Sequence, residues 1–323
     1  MPFPPLNFIT HDPMESDYRP AVDATGRHVI FVIFERTPRG GGVTTLFITS
    51  IGAPHGAEPF IHDLAGTHAT TGPSQTRPDW CWATGHVALN VAASDRSPLH
   101  VMIAEPSGIP LGNVPGPIRW IYPTWSSDGT QLVVMNATEA GHPRTSLISL
   151  NGTVAQANLN WNDANGAPMF AGFASPRPGN PSLIAYAGQP NGPNWSGASS
   201  AGYDQDWNYV FLNATSAATF TSSPLEPDAS ITQFDKSHQG RAPSWSPDGS
   251  YLAFESNRVD GRHYAIFLVN VSVGSKPVQL TDVAYDAQHA KFFPDGKSLI
   301  ITAFQTPGRG PRGIAQLDIS GYL

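Results

Sequence analysis

"PSWSPDGSYLAFESNR", residues 243–258, reads as an aromatic strand end, a Ser-Pro-Asp-Gly turn, an apolar strand and a charged stop. The glycine of the Asp-Gly step can take the positive φ that a tight strand reversal needs, so the stretch is expected to be a β-hairpin. Whether it occurs once or recurs decides the fold, because self-similarity at a period of several tens of residues marks a repeat architecture. It recurs. "PTWSSDGTQLVVMN" (123–136) and "AKFFPDGKSLIITAF" (290–304) repeat the aromatic, the turn and the strand. "RPAVDATGRHVIFVIFER" (19–36) and "RPDWCWATGHVALNVAAS" (77–94) keep the turn glycine and the strand, and "FASPRPGNPSLIAYAG" (173–188) has Pro178-Gly179 at the turn.

The copies lie roughly 40–70 residues apart, the range of propeller blades with loop insertions. A second hairpin follows within a unit, as in "YAIFLVNV" (264–271) leading to "PVQLTDV" (277–283). One such sheet cannot bury both faces alone, so neighbouring copies must pack around a ring. The two chain ends carry matching patterns: "FITHDPMESDYRPAVDATG" (8–26) is built like "QLTDVAYDAQHAKFFPDG" (279–296). Residues 5–10 are therefore expected to complete the last blade, whose own sequence supplies three strands. The expectation is all-β: a six-bladed propeller of four-stranded antiparallel blades, one domain over 1–323. The blades fall near 17–68, 69–121, 122–166, 167–240, 241–286, and 287–323 plus 5–10.

The "WSPDG" and "FFPDG" turns, with "LAFESNR" after the first, resemble the WD40-like repeats of the TolB-like six-bladed β-propellers. The resemblance runs over nearly the whole chain, with the full turn signature at Asp128-Gly129, Asp248-Gly249 and Asp295-Gly296. It implies the fold. That family holds periplasmic interaction proteins, propeller domains of serine peptidases and enzymes such as oligogalacturonate lyase, so the fold alone selects no function. No Gly-x-Ser-x-Gly elbow of a hydrolase domain accompanies the repeats.

A formal net charge of -7 without a basic cluster argues against a nucleic-acid partner. The longest apolar run, "VIFVIF" (29–34), is far short of a membrane span. The single cysteine, Cys81, excludes an internal disulfide and, between Trp80 and Trp82, reads as core. "MPFPPLNFITHDP" has neither a basic n-region nor an apolar h-region, so the chain as written is expected in the cytoplasm, or in the periplasm or outside if a leader has been removed.

In a propeller the blade-joining loops share a face with the loops between second and third strands, opposite the Asp-Gly turns, and surround the channel mouth. Here those loops carry His11 and Asp12, His62, Asp63 and His68, Asp163, Asp235 and His238, and Asp286 and His289. "FDKSH" (234–238) and "YDAQH" (285–289) share a pattern, as do "THD" (10–12) and "IHD" (61–63). Imidazoles and carboxylates gathered there are candidate ligands for one divalent metal, and equally candidate acids and bases. The metal set is His11, His62, His238, His289, Asp235 and Asp286. The structural alternative is that the aspartates cap loops by accepting backbone N–H bonds. Residues just before the inner strands, Tyr18, Arg19, Arg77, Asp79, Tyr122, Arg241, His289 and Lys291, are expected closest to the axis, where cations can hold a carboxylate or offset neighbouring aspartates. The insertion at 188–211 adds Trp195, Tyr203, Trp207 and Tyr209, aromatics suited to stacking on a sugar ring, although Trp207 and Tyr209 also read as the start of a strand.

Two function classes follow. One is a lyase or hydrolase acting on an anionic, sugar-like substrate. By resemblance to oligogalacturonate lyase, a divalent metal (Mn or Ca) would neutralise the substrate carboxylate while a base removes the neighbouring proton. His238, His289, Arg241 and Lys291 are the catalytic candidates, with Trp195, Tyr203, Trp207, Tyr18, Arg77 and Tyr122 contacting substrate. The other is a non-catalytic TolB-like propeller that binds a protein or peptide on the same face. Neither needs a nucleotide or organic cofactor.

Overall fold

The computed structural model describes residues 2–12, 16–36, 42–52, 56–61, 74–92, 99–115, 120–136, 144–151, 154–156, 159, 170–189, 209–215, 239–271 and 276–323. A short N-terminal strand β1 (Leu6–Phe8) precedes the first blade, β2 (Asp17–Val22), β3 (His28–Arg36), β4 (Gly42–Ser50) and β5 (Glu58–Pro59). The second blade is β6 (Ser74–Trp80), β7 (Val87–Ala92), β8 (His100–Ala104) and β9 (Pro110–Asn113). The third is β10 (Trp120–Trp125), β11 (Gln131–Asn136), β12 (Arg144–Ser149) and β13 (Val154–Gln156). The fourth shows β14 (Phe170–Arg177), β15 (Asn180–Gln189) and β16 (Tyr209–Ala214) among the described residues. The fifth is β17 (Gly240–Trp245), β18 (Tyr251–Ser256), β19 (Ala265–Asn270) and β20 (Val278–Gln279). The sixth is β21 (Gln288–Phe292), β22 (Ser298–Thr306) and β23 (Arg309–Asp318).

Each sheet is an antiparallel meander in sequence order, and the sixth is completed by β1, which pairs with β23 in the register Leu6↔Leu317, Asn7↔Gln316, Phe8↔Ala315. The fold is the expected all-β, six-bladed propeller, and the N-terminal strand closes its ring.

The recurring turn works as its sequence suggests. In the third blade the Gly129 N–H donates to the Ser126 carbonyl at 2.9 Å, while the Asp128 carboxylate accepts from the Ser126 hydroxyl at 2.6 Å and the Thr130 N–H at 3.1 Å. Gly129 has φ +71, and a Cβ there would lie 2.8 Å from the Cys81 sulfur in the preceding blade. Glycine is thus required both for backbone freedom and for blade contact.

Between turns, the second strands are mainly apolar; all six residues of β7 are buried, Asn90 being its one polar member. They have to be, because each blade packs against two neighbours. Among the described residues, six of seven apolar clusters sit one at each blade interface. Ile30, Val32 and Leu46 of the first blade meet Val87, Leu89 and Met102 of the second, and the first closes on the sixth through Val29, Phe31, Ile300 and Ile314. Burying one such side chain stabilises the fold by roughly 1.5–3 kcal/mol. Tryptophans add a directional link. Trp82 donates its indole N–H to the Val22 carbonyl, Trp125 to that of Asp79 and Trp245 to that of Ser175, each reaching back into the preceding blade. Among the described residues no helix is long and apolar enough to cross a membrane.

Candidate functional site at the channel mouth

Every inner strand carries one residue that leaves the extended conformation. Arg19, Arg77, Tyr122, Phe173, Ala242 and His289 have φ between 50° and 56°, and the pairing register of each inner strand shifts at that point. Each is a β-bulge, which bends the strand and re-aims a side chain. A left-handed non-glycine residue costs of order 1–3 kcal/mol and survives only where surrounding packing over-determines it. Four of the six are followed by proline, Pro20, Pro78, Pro123 and Pro243, at a point where the ladder is already interrupted and a missing N–H is tolerated.

All six bulge residues line one cavity of ≈ 70 Å³ on the axis. Taken in blade order they make a ring of two halves: His289, Arg19 and Arg77 form a polar, cationic arc, and Tyr122, Phe173 and Ala242 an aromatic and apolar one. The halves meet where the Arg77 guanidinium lies 4.4 Å from the centroid of the Tyr122 ring, which in turn packs 4.3 Å from Phe173. Arg19 lies 5.8 Å from the same ring and donates from Nη1 to the Thr76 hydroxyl at 3.0 Å. The Nε of Arg77 and the Nδ1 of His289 are buried and have no hydrogen-bond partner among the described residues.

Behind the ring, buried Glu255 accepts from Arg241 Nε at 2.5 Å through one oxygen and from the His289 backbone N–H at 2.5 Å through the other. Arg241 also covers the Tyr264 ring at 4.4 Å. Asp286, itself left-handed at φ 43, accepts from the Tyr264 N–H at 2.7 Å and Gln288 at 3.2 Å and pairs with Arg312. Lys291 bonds Asp79 at 2.8 Å.

Burial, then the positive fields of Arg19, Arg241, Arg312 and Arg77, hold the His289 imidazole well below its ordinary pKa of 6.5, so the ring is neutral at pH 7. As pH falls below about 6.5 the unfolded chain takes up a proton at this position that the folded protein refuses, so the contribution of His289 to stability shrinks on acidification. His289→Asn, which tolerates the same left-handed backbone, is expected to flatten the loss of stability between about pH 7 and 5, read as urea midpoints across that range. Parallel profiles for the two proteins would refute the burial argument.

Of the residues expected from the sequence, the structure brings Arg77, Tyr122, His289 and Lys291 to one cavity, with Arg241 directly behind. Tyr18 lies in β2 beside Arg19, outside that lining. His11 lines a different recess, with Asp12, Asp17 and Phe47, and packs 5.6 Å from Phe8. His62, Asp235, His238, Trp195, Tyr203 and Trp207 lie outside the described residues. Among the described residues no group of three or more His, Cys, Asp or Glu side chains gathers to hold a metal ion. His289 and Asp286 do not by themselves make a cation site: arginines surround the first, and both oxygens of the second are engaged.

Sequence reasoning missed Phe173, Ala242 and Glu255 and placed the bulge residues just before the inner strands rather than inside them. The signal was available in the recurring residue-proline step of four blades, 19–20, 77–78, 122–123 and 242–243.

No family model and no curated protein matches the sequence. Solved structures do match in shape. A TolB from Agrobacterium tumefaciens superposes with a TM-score of 0.55 at 16% identity, covering 91% of this chain and 86% of that one. TolB from Acinetobacter baumannii gives 0.58 at 13% identity, over 90% of this chain and 64% of that one. An oligogalacturonate lyase in complex with manganese gives 0.50 at 13% identity, over 98% and 96%. The chain thus has the TolB-like propeller fold, shared by proteins of different activity.

Proposed function

We propose that this protein is a binding propeller whose channel mouth receives a carboxylate of a protein or peptide partner, from an acidic side chain or a chain end. The observation that carries the reading is the divided ring: Arg19, Arg77 and His289 face Tyr122 and Phe173 around one cavity. Arginine recognises carboxylates through paired hydrogen bonds, and the aromatic half packs the carbon stem beside such a group. Arg77 Nε and His289 Nδ1 lack partners among the described residues, so a small turn of either side chain offers an incoming group a bond at little internal loss. Size argues in the same direction. A cavity of ≈ 70 Å³ is well below the range of small-ligand sites, which suits a carboxylate and its carbon stem better than a whole sugar ring.

Calorimetric titration with short acidic peptides, each as free acid and as amide, tests this. The acid forms are expected to bind, more weakly at higher salt, and Arg77→Ala to reduce affinity about tenfold. Equal binding of acid and amide, or an unchanged Arg77→Ala variant, would overturn the proposal.

A second reading, a lyase acting on a uronate, is favoured by one observation: a neutral imidazole among arginines can accept a proton beside a carboxylate that those arginines hold. Formation of an unsaturated product from digalacturonate, followed by ultraviolet absorbance and lost in His289→Asn, would establish it in place of the first.

A further inference from the structure

The inner strands continue past the bulges, and the residue two places on in each strand returns to the axis. These six, Ala21, Asp79, Thr124, Ser175, Ser244 and Lys291, form a second tier, and all of them line a separate cavity of ≈ 310 Å³ that opens toward the Asp-Gly turns. Its chemistry differs from that of the mouth. Asp79 and Lys291 belong to the second and sixth blades, and the short side chain of Ala21 on the first blade lets them bond across it at 2.8 Å. The other Asp79 oxygen accepts the Trp125 backbone N–H at 2.8 Å. The only two charged groups in the lining among the described residues therefore offset each other.

What remains for a ligand is an arc of three hydroxyls on consecutive blades, Thr124, Ser175 and Ser244. All three hydroxyl-bearing residues line this cavity, and Ser175 is 7% and Ser244 6% exposed. Three hydroxyl-bearing residues lining one cavity can each donate a hydrogen bond to, and accept one from, a partner that enters it. The indole N–H groups of Trp125 and Trp245 are already committed to the carbonyls of Asp79 and Ser175, so these rings offer the cavity hydrocarbon surface and no donor. Pro176 and Pro247 extend that surface. Hydroxyls that both donate and accept, set among aromatic and proline walls with no net charge, complement a molecule with hydroxyl edges and C–H faces. The volume is at the lower end of small-ligand sites.

We infer that the turn-side end of the channel is a second binding site, for a neutral polyhydroxylated ligand of about one sugar ring. It is independent of the mouth, sharing only Thr124 and Lys291 with that cavity's lining.

The test is a titration of the full chain with glucose, galactose, myo-inositol and cellobiose, followed by tryptophan fluorescence and by calorimetry. At least one is expected to give a saturable fluorescence change. The Ser175→Ala, Ser244→Ala double variant is expected to lose affinity at least tenfold while keeping its urea midpoint within the range of ordinary small-to-smaller substitutions, and Thr124→Val, nearly isosteric, serves as a second variant. Absence of saturable binding by all four probes overturns the inference. So does undiminished binding by both variants, which would place the sugar elsewhere, or tighter binding of galacturonate than of galactose, which would make the site anionic-selective.

Discussion

Glu255→Ala is expected to lower the unfolding free energy by about 3–5 kcal/mol, the cost of leaving a buried charge without its counterion. Both side chains of the pair are almost fully buried, at 8% exposure for Arg241 and none for Glu255. The same substitution removes the acceptor of the His289 backbone N–H, so the left-handed turn at that residue loses what holds it. Urea denaturation of the variant, with Glu255→Gln alongside, separates the two contributions. The amide keeps an acceptor for one bond and gives up the charge, and should recover part of the loss. Full stability in Glu255→Ala would mean that Arg241 reaches water or another anion, contrary to its position behind the ring.

The second large effect is expected at Trp125→Ala, at about 3–5 kcal/mol. Trp125 is 6% exposed, packs with Cys81, Ala88 and Leu132 at the junction of the second and third blades, and holds Asp79 through both its backbone and its indole N–H. Truncation leaves a void and strands the Asp79 carbonyl. Trp125→Phe fills most of the void without the bond and should cost clearly less. Comparable losses in the two variants would assign the effect to the hydrogen bond rather than to packing.

Architecture was readable because the scaffold repeats itself. Pro178-Gly179, the most eroded turn, still has its glycine at φ +72, so the rule that a reversal needs one residue free of Cβ survived where the aspartate did not. Ring closure was readable because the loop before β2 resembles the loop before β21. The site was only partly legible. Arg77, Tyr122 and His289 were found because position along an inner strand fixes distance from the axis. Phe173 and Ala242 were not, because nothing in an apolar residue announces that it stands on a bulge rather than in a blade core. Glu255 was hidden for a related reason: "LAFES" reads as a strand followed by a polar stop, and only the tertiary fold shows that the carboxylate points at an arginine in the neighbouring strand. The hydroxyl tier escaped notice because isolated serines in a serine-rich chain carry no pattern until six strands are brought round one axis.

The pairing of β1 with β23 also sets a clock. Leu6 leaves the ribosome long before Leu317, and at about 5–20 residues per second the interval is roughly 15–60 s. During that time five blades can form in order of synthesis, but the sixth has no outer strand to finish it and the seam beside the first blade stays open. The first strand of the propeller to be made is thus the last to find its place. Errors of synthesis in β1 or in β23 would be felt as failure of the same blade.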